Sequence, residues 1–312
     1  LNRGKASLVL NLAEPSERET LAALLKAVDG VIDGSFHGLA RALAPERDAP
    51  HLVVARITPY GDDVATDVPA HDATIQAESG WMSTNGRGDE PAVRSGLPMP
   101  SQAAGASAVQ AMLAALIARE DDGEGEDIDV ALYDQALIIS YHYAMQFLIN
   151  GNRPLRFGNG SPAASPLGVF EASDGQFQMT AAGDRVWKRL AENVLEMPEL
   201  LEDPRFDGNS ARVVNVDDLM GIIIPLFKSQ PRAHWIAKMQ GGGVPGGPIR
   251  NVDEAVVAPE SVERGLVVSA EQGGGVPSIR NPMRFRDTPL ADPKSAPLLG
   301  HGGPETVAKW SQ

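Results

Sequence analysis

The sequence contains no cysteine in its 312 residues. That absence excludes disulfide bonds, zinc held by thiolates and a thiol nucleophile, and it is compatible with a reducing compartment. Positive charge is also scarce: 27 Lys and Arg stand against 41 Asp and Glu, a formal net charge of −14. Nucleic-acid binding shows itself as a basic stripe, and none is visible, so no nucleic acid is expected as a partner. The surplus of carboxylates solvates the surface, and an anionic ligand would need local Lys and Arg. No uninterrupted apolar run approaches the roughly 20 residues of a membrane span, and no signal peptide is recognisable. No membrane partner is expected, and the expected location is cytoplasmic. The six histidines lack paired ligand spacing and HExxH is missing, so the expected metal is none. The GxSxG elbow, the Walker loop and a strand-linked GxGxxG are missing too.

What is present suits a packed core: 43% of residues are hydrophobic. Ser7–Leu12 reads as a strand, 15–28 as a helix, Gly30–Asp33 as a short apolar run, Leu39–Ala44 as helix-like and His51–Ile57 as a buried strand. Gln102–Glu120 reads as a helix apolar nearly all round, which predicts burial. Gly123 and Gly125 break it, Asp127–Tyr133 alternates like a strand, and Gln135–Asn150 reads as one long apolar helix closed by Gly151. Strands alternating with helices imply an α/β fold with a parallel sheet. The middle changes character. Val169–Thr180 reads as a hairpin about Asp174 and Gly175, helices follow at 184–195, 216–228 and 231–240, and the Gly-rich run Gly241–Pro248 looks like a boundary. The expected domains are a larger one at 1–167 and 259–312 and a smaller α+β one at 168–258.

Six segments, in order, carry a family resemblance. Leu1–Ser7 resembles "NRNKRS", and His71–Met82 resembles "GYDLIAQAMSGLM". Gly123–Gly125 followed by Ile128–Ala136 is similar to "GRGQxVDVSLLDA", the strongest of the six. Gly158–Asn159 with Pro166–Phe170, Gly243–Pro248 and Ala296–His301 resemble "GN…PYGxF", "AGVPAGPV" and "APLLGEH". Together they resemble the family III coenzyme A transferases, the carnitine-dehydratase and bile-acid-inducible type. The resemblance implies a Rossmann-like large domain with a smaller α+β domain. It also implies that the family's first strand–helix units, which precede "NRNKRS", lie outside this chain. The chain opens at Leu1 and not Met, so the start of a longer protein is the expectation.

The resemblance implies a CoA-transferase moving CoA between an acyl-CoA donor and a carboxylic acid acceptor, with coenzyme A as a substrate and no bound prosthetic group. It also implies an interlocked homodimer, for which Arg153–Pro166 and Asn251–Arg264 read as long unstructured connections. The acid of "SLLDA" maps onto Asp134, which implies a nucleophile that passes through an aspartyl-CoA thioester. The residues agree: Asp134 falls where a strand gives way to a helix, whose N-terminus favours an anion. A helix cap would account for the same acid. His71 departs from the Tyr usual in the transferases and matches the acid/base His of the related α-methylacyl-CoA racemases. A racemase needs a second acid/base across the α-carbon, and Ser101, which stands at that position, is too weak an acid and base to serve unaided, which weighs against a racemase. The alternatives are therefore a racemase or isomerase using His71, or a degenerate non-catalytic CoA-fold protein. The family's CoA-binding positions map onto Leu1, Asn2, Arg3 and Lys5, onto Ser35, Phe36 and His37 with Arg41 nearby, and onto Ala70 and Asp72. Ser35, His37 and Pro69 replace the usual Asn, Arg and basic residue, and Arg3, Lys5 and Arg41 are the nearest cations for phosphates.

Overall fold

The computed structural model describes residues 2–35, 49–64, 68–272, 274–291 and 294–310. The chain divides into two compact units. The first comprises Leu1–Trp81, Arg94–Asn152 and Val256–Gln312, and the second Met82–Val93 and Arg153–Ala255.

The first unit is built on a parallel three-stranded sheet in the order β1–β2–β3: β1 is Gly30–Asp33, β2 Val53–Thr58 and β3 Asp127–Ala131. Its strands are short and β-branched, with successive side chains serving opposite faces. Val54 packs with Leu25 of helix α1 (Pro15–Ala27), while Ala55 packs on the other face with Ile75, Ala104, Val130 and Ala136. Those last residues come from α2 (Asp72–Glu78), α3 (Met99–Asp122), β3 and α4 (Leu132–Ile139). This is the expected α/β fold with a parallel sheet.

Several expectations are corrected here. Ser7–Leu12 is not a strand: Ser7 makes one isolated bridge to Gly302, and Leu8 and Val9 are exposed with no neighbouring strand to pair them. The stretch Leu39–Ala44 lies outside the described residues. Helix α3 is not buried all round. Pro100, Ala104 and Ala108 face the core, and Val109, Leu113 and Ile117 face outward. With 24 residues and a mean hydropathy of 1.3 in its most apolar window, α3 is long and apolar enough to cross a membrane. Its small residues instead pack on the sheet of this unit. The expected single helix 135–150 is two, α4 and α5 (Tyr141–Asn150), because Ser140 leaves helical geometry. Its hydroxyl donates to the Ala136 carbonyl at 2.8 Å, competing with the backbone ladder.

Gly125 shows why the turn before β3 needs glycine. Its amide donates to the Pro50 carbonyl at 2.6 Å, and a Cβ there would lie 2.1 Å from the Leu52 carbonyl oxygen. Gly125→Ala must push backbone off backbone, with an expected loss of about 1–3 kcal/mol in urea denaturation.

The second unit holds an antiparallel sheet, β4 (Leu167–Glu171), β5 (Gln176–Thr180) and β6 (Gly246–Pro248), with β5 central. The hairpin about Asp174 and Gly175 is as expected. Helices α6 (Asp184–Arg189), α7 (Gly208–Val214), α8 (Val216–Lys228) and α9 (Arg232–Gly242) cover it, and α6 runs on into a π turn, Leu190–Val194. The core is aromatic: Phe170, Phe177 and Trp235 each lie 5.1–5.9 Å, centroid to centroid, from a neighbour in a cluster around Phe227. The run Gly241–Pro248 is interior to this unit and not a boundary. It ends α9 and supplies β6, where a Cβ at Gly246 would meet Met239 Sδ at 2.5 Å. Asn251–Arg264 is likewise not unstructured, since it carries helices Val252–Val256 and Pro259–Glu263.

Two arginines organise this unit. Arg212, with 0% exposure, donates to the carbonyls of Ala182, Ser165 and Phe206 at 2.7, 2.9 and 3.2 Å and to Asp184 Oδ1 at 2.8 Å. Its guanidinium also lies 5.2 Å from the Trp187 ring centre. Arg156 fastens the early segment Met82–Val93 by donating to the carbonyls of Glu90, Arg87 and Ser83 at 2.9, 3.0 and 3.5 Å.

Candidate active site

In a parallel sheet the connections leaving the carboxyl ends of the strands line the ligand crevice. The first unit has such a cavity, of about 560 Å³. Gly34 and Ser35 follow β1 into its wall, Pro59–Asp62 follow β2, and Leu132 follows β3. Ala70, His71 and Asp72 enter from the start of α2, and Ser101 from the start of α3.

His71 precedes α2 in extended conformation, φ −130° and ψ 175°, and makes no capping bond. Its imidazole is exposed, lines the cavity and has no hydrogen bond to a described residue. Asp72 is fully engaged by the protein. One carboxylate oxygen accepts the Ser101 amide at 2.8 Å and the other accepts Gln76 Nε2 at 2.6 Å. Ser101 is the third residue of α3, whose own N-cap, Pro98, offers no side-chain acceptor. Asp72 therefore serves as that helix's cap from outside, on the end where a carboxylate is favoured.

Asp134 does not line this cavity. Helix α4 starts at Leu132 with Ala131 as its cap residue, so Asp134 is the third helical residue and the reading of it as a cap is removed. Leu132 faces the cavity, and at 100° per residue Asp134 turns about 200° away from it. The carboxylate is exposed at the rim of a shallow apolar groove of about 260 Å³ formed with Leu137, Ile138, Tyr141, Ala144 and Met145. No described basic side chain bonds it, and the positive end of α4 is its nearest electrostatic support.

The expected coenzyme residues are scattered. Ser35 and Ala70 line the cavity; Ser35 donates from both its amide and its hydroxyl to Asp33 Oδ1, at 2.8 and 2.5 Å. Asn2, Arg3 and Lys5 do not line it. Arg3 donates to Ser278 Oγ at 2.6 Å and to the Ile279 carbonyl, and Lys5 to Asn2 Oδ1 at 3.3 Å. Leu1, Phe36, His37 and Arg41 lie outside the described residues. Among the described lining residues Arg56 is the one Lys or Arg, and it is paired with Asp62.

Sequence reading missed Tyr60. Its hydroxyl donates to Glu78 Oε2 at 2.6 Å, and its ring lies 6.3 Å from that of Tyr133. That hydrogen bond, with burial and the charge of Glu78, pushes the phenol above the ordinary tyrosine range. The missed signal was positional: Pro59–Asp62 directly follows a strand of a parallel sheet. Gln76, 0% exposed, was missed as well. Besides Asp72 it donates to the Leu97 carbonyl at 3.3 Å and accepts the Ser95 amide at 2.9 Å.

Comparison with known proteins agrees with this architecture. The family model described as CoA-transferase family III matches residues 1–302. The acetyl-CoA:oxalate CoA-transferase of Acetobacter aceti is 32% identical, over 97% of this chain and 79% of its own length. The succinate–glutarate CoA-transferase of Agrobacterium fabrum is 30% identical, over 99% of this chain and 79% of its own. A crystal structure of a CaiB/BaiF family protein from Brucella suis superposes with a TM-score of 0.86 at 30% identity, covering 99% of this chain and 82% of that one. With agreement running from the first strand connection to the last helix, this chain belongs to CoA-transferase family III and is an enzyme that transfers coenzyme A.

Proposed function

We propose that the enzyme moves CoA from an acyl-CoA to a free carboxylic acid through a covalent thioester on Asp134. The observation that carries this reading is an exposed carboxylate in the first turn of α4, directly beyond the carboxyl end of β3. The helix end favours the ionised form, and no described cation competes for it. The Asp134 carboxylate attacks the donor thioester carbonyl and the CoA thiolate leaves, giving a mixed anhydride. The thiolate then attacks the aspartyl carbonyl, the donor acid departs, and aspartyl-CoA remains. The acceptor carboxylate attacks that carbonyl and expels the thiolate. The thiolate takes the acyl carbonyl of the second anhydride, releasing the new acyl-CoA and the original Asp134. A carboxylate suits this exchange because the anhydride stays activated and thioester energy is retained.

His71 lines the cavity and Asp134 faces the separate groove, so in this scheme the two meet one thioester across a pair of copies: His71 hydrogen-bonds the carbonyl oxygen, as negative charge builds on it, that Asp134 of a second copy attacks. The acids named for the relatives, oxalate and glutarate, give the acceptors to test first. A homodimer completes the site. Asp134 shares its face with Leu137, Ile138 and Tyr141, and α3 and α5 leave Leu113, Ile117, Leu148 and Ile149 exposed. Exposed apolar side chains in such number support an interface. Arg153–Pro166 contains no helix or strand but is bound within its own unit through Arg156 and Ser165, so the interlocked arrangement is proposed on family membership.

Borohydride added during turnover with succinyl-CoA reduces an aspartyl thioester to an alcohol. Peptide mass analysis should find that alcohol at residue 134 and at no other acid. An unmodified Asp134 in an enzyme that is turning over overturns the proposal.

A further inference from the structure

Asp72, in the cavity wall, and Gln76 behind it form a closed network. Gln76 is 0% exposed and its amide is satisfied on both ends, by Asp72, the Leu97 carbonyl and the Ser95 amide. Asp72 in turn holds the third amide of α3. The network thus clamps the start of α2 to the segment Ser95–Ser101 that begins α3. Its two exits to the cavity are His71, one peptide bond from Asp72, and Ser101. His71 bonds no described residue through its side chain and sits in extended backbone, so what the clamp fixes is the backbone from which its imidazole extends. A carboxylate doing nothing but capping α3 could stand anywhere near that helix end. This one adjoins the polar side chain that faces the ligand space.

We infer that Asp72 is a positioning residue for His71: its carboxylate, braced by buried Gln76 and the α3 amide, fixes the start of α2 and with it the backbone that carries the imidazole to the bound thioester. This rests on the proposed contact between His71 and substrate, and is independent of Asp134 being the nucleophile. A misplacement of about 1 Å at a reacting centre costs up to about a hundredfold in rate.

The test is a double-mutant cycle in the full chain, assayed with succinyl-CoA and glutarate: His71→Ala, Asp72→Ala and the pair. Asp72→Ala should lower kcat about tenfold to a hundredfold, with KM for succinyl-CoA changed less than kcat. The double variant should be no slower than His71→Ala alone. Asp72→Asn keeps the shape and one acceptor oxygen, and should recover part of the loss at unchanged circular dichroism. Three outcomes overturn the inference: losses that multiply in the double variant, an Asp72→Asn variant that folds yet gains nothing over alanine, or a His71→Ala enzyme with normal kinetics. Borohydride labelling of the Asp72→Ala enzyme separates the two claims. Labelling at residue 134 with coupled His71 and Asp72 supports both, whereas coupling without labelling sinks only the aspartyl intermediate.

Discussion

Asp134→Ala should reduce CoA transfer by at least about a thousandfold, because a covalent route without its nucleophile falls back on binding and electrostatics alone. The fold should be untouched. Asp134 is exposed, makes no side-chain hydrogen bond or ion pair with a described residue and does not cap its helix, and substitutions at such positions stay within about 0.5 kcal/mol. The variant should therefore melt like the parent while losing activity, and Asp134→Asn should behave alike, since an amide is no nucleophile toward a thioester. The decisive measurement is single-turnover release of the donor acid, as CoA passes to the enzyme, with no acceptor acid present. The parent stops at one aspartyl-CoA per active chain, and the alanine variant forms none. An alanine variant that turned over at the parent rate would end the assignment.

Arg212→Met should be the most destabilising change in the second unit, at about 3–5 kcal/mol. Methionine fills a similar volume but leaves the buried carbonyls of Ser165, Ala182 and Phe206 without their donor. It also removes the cation from beside Trp187, worth about another 0.5–2 kcal/mol in a site without solvent. The contrast is Asp184→Asn. Asp184 is the anionic partner of the same guanidinium, but its side chain is 71% exposed, so its loss should cost at most about 1 kcal/mol. Urea unfolding followed by the fluorescence of Trp187 and Trp235, both buried, reads both variants. Equal losses would show that the ion pair, and not the carbonyl cage, is what Arg212 supplies.

The alternation of short apolar runs with amphipathic stretches is enough to read the parallel sheet, because its central strand β2 buries both faces while a helix such as α3 buries only one. Boundaries were read less well, and for one recurring reason. Alternation in Asp127–Tyr133 runs past the end of β3, but the strand stops at Ala131 because its parallel partner stops at Thr58. No residue in the run encodes its neighbour's length. The glycines at 241–248 read as a boundary for the same reason: composition does not distinguish a glycine facing solvent from Gly246 pressed on Met239. At the site, His71 and Ser35 were legible through family motifs. The cavity itself was not, since its wall is drawn from residues 34 to 132 and only the sheet brings them together. Tyr60 lies in none of the six segments, and Gln76, inside His71–Met82, is not marked by that motif as a site residue. Their importance lies in hydrogen bonds to Glu78 and Asp72, which neither periodicity nor composition announces.

The fastening of Met82–Val93 by Arg156 bears on how the protein is made. A chain emerging from the ribosome delivers this short segment first, then the whole of α3, β3, α4 and α5, and only afterwards the arginine that captures it. The smaller unit therefore cannot finish by simple N-to-C order. Its first twelve residues must wait for Arg156 through the synthesis of some sixty others, holding only the bonds they make among themselves, such as Asn85 to the Val93 carbonyl.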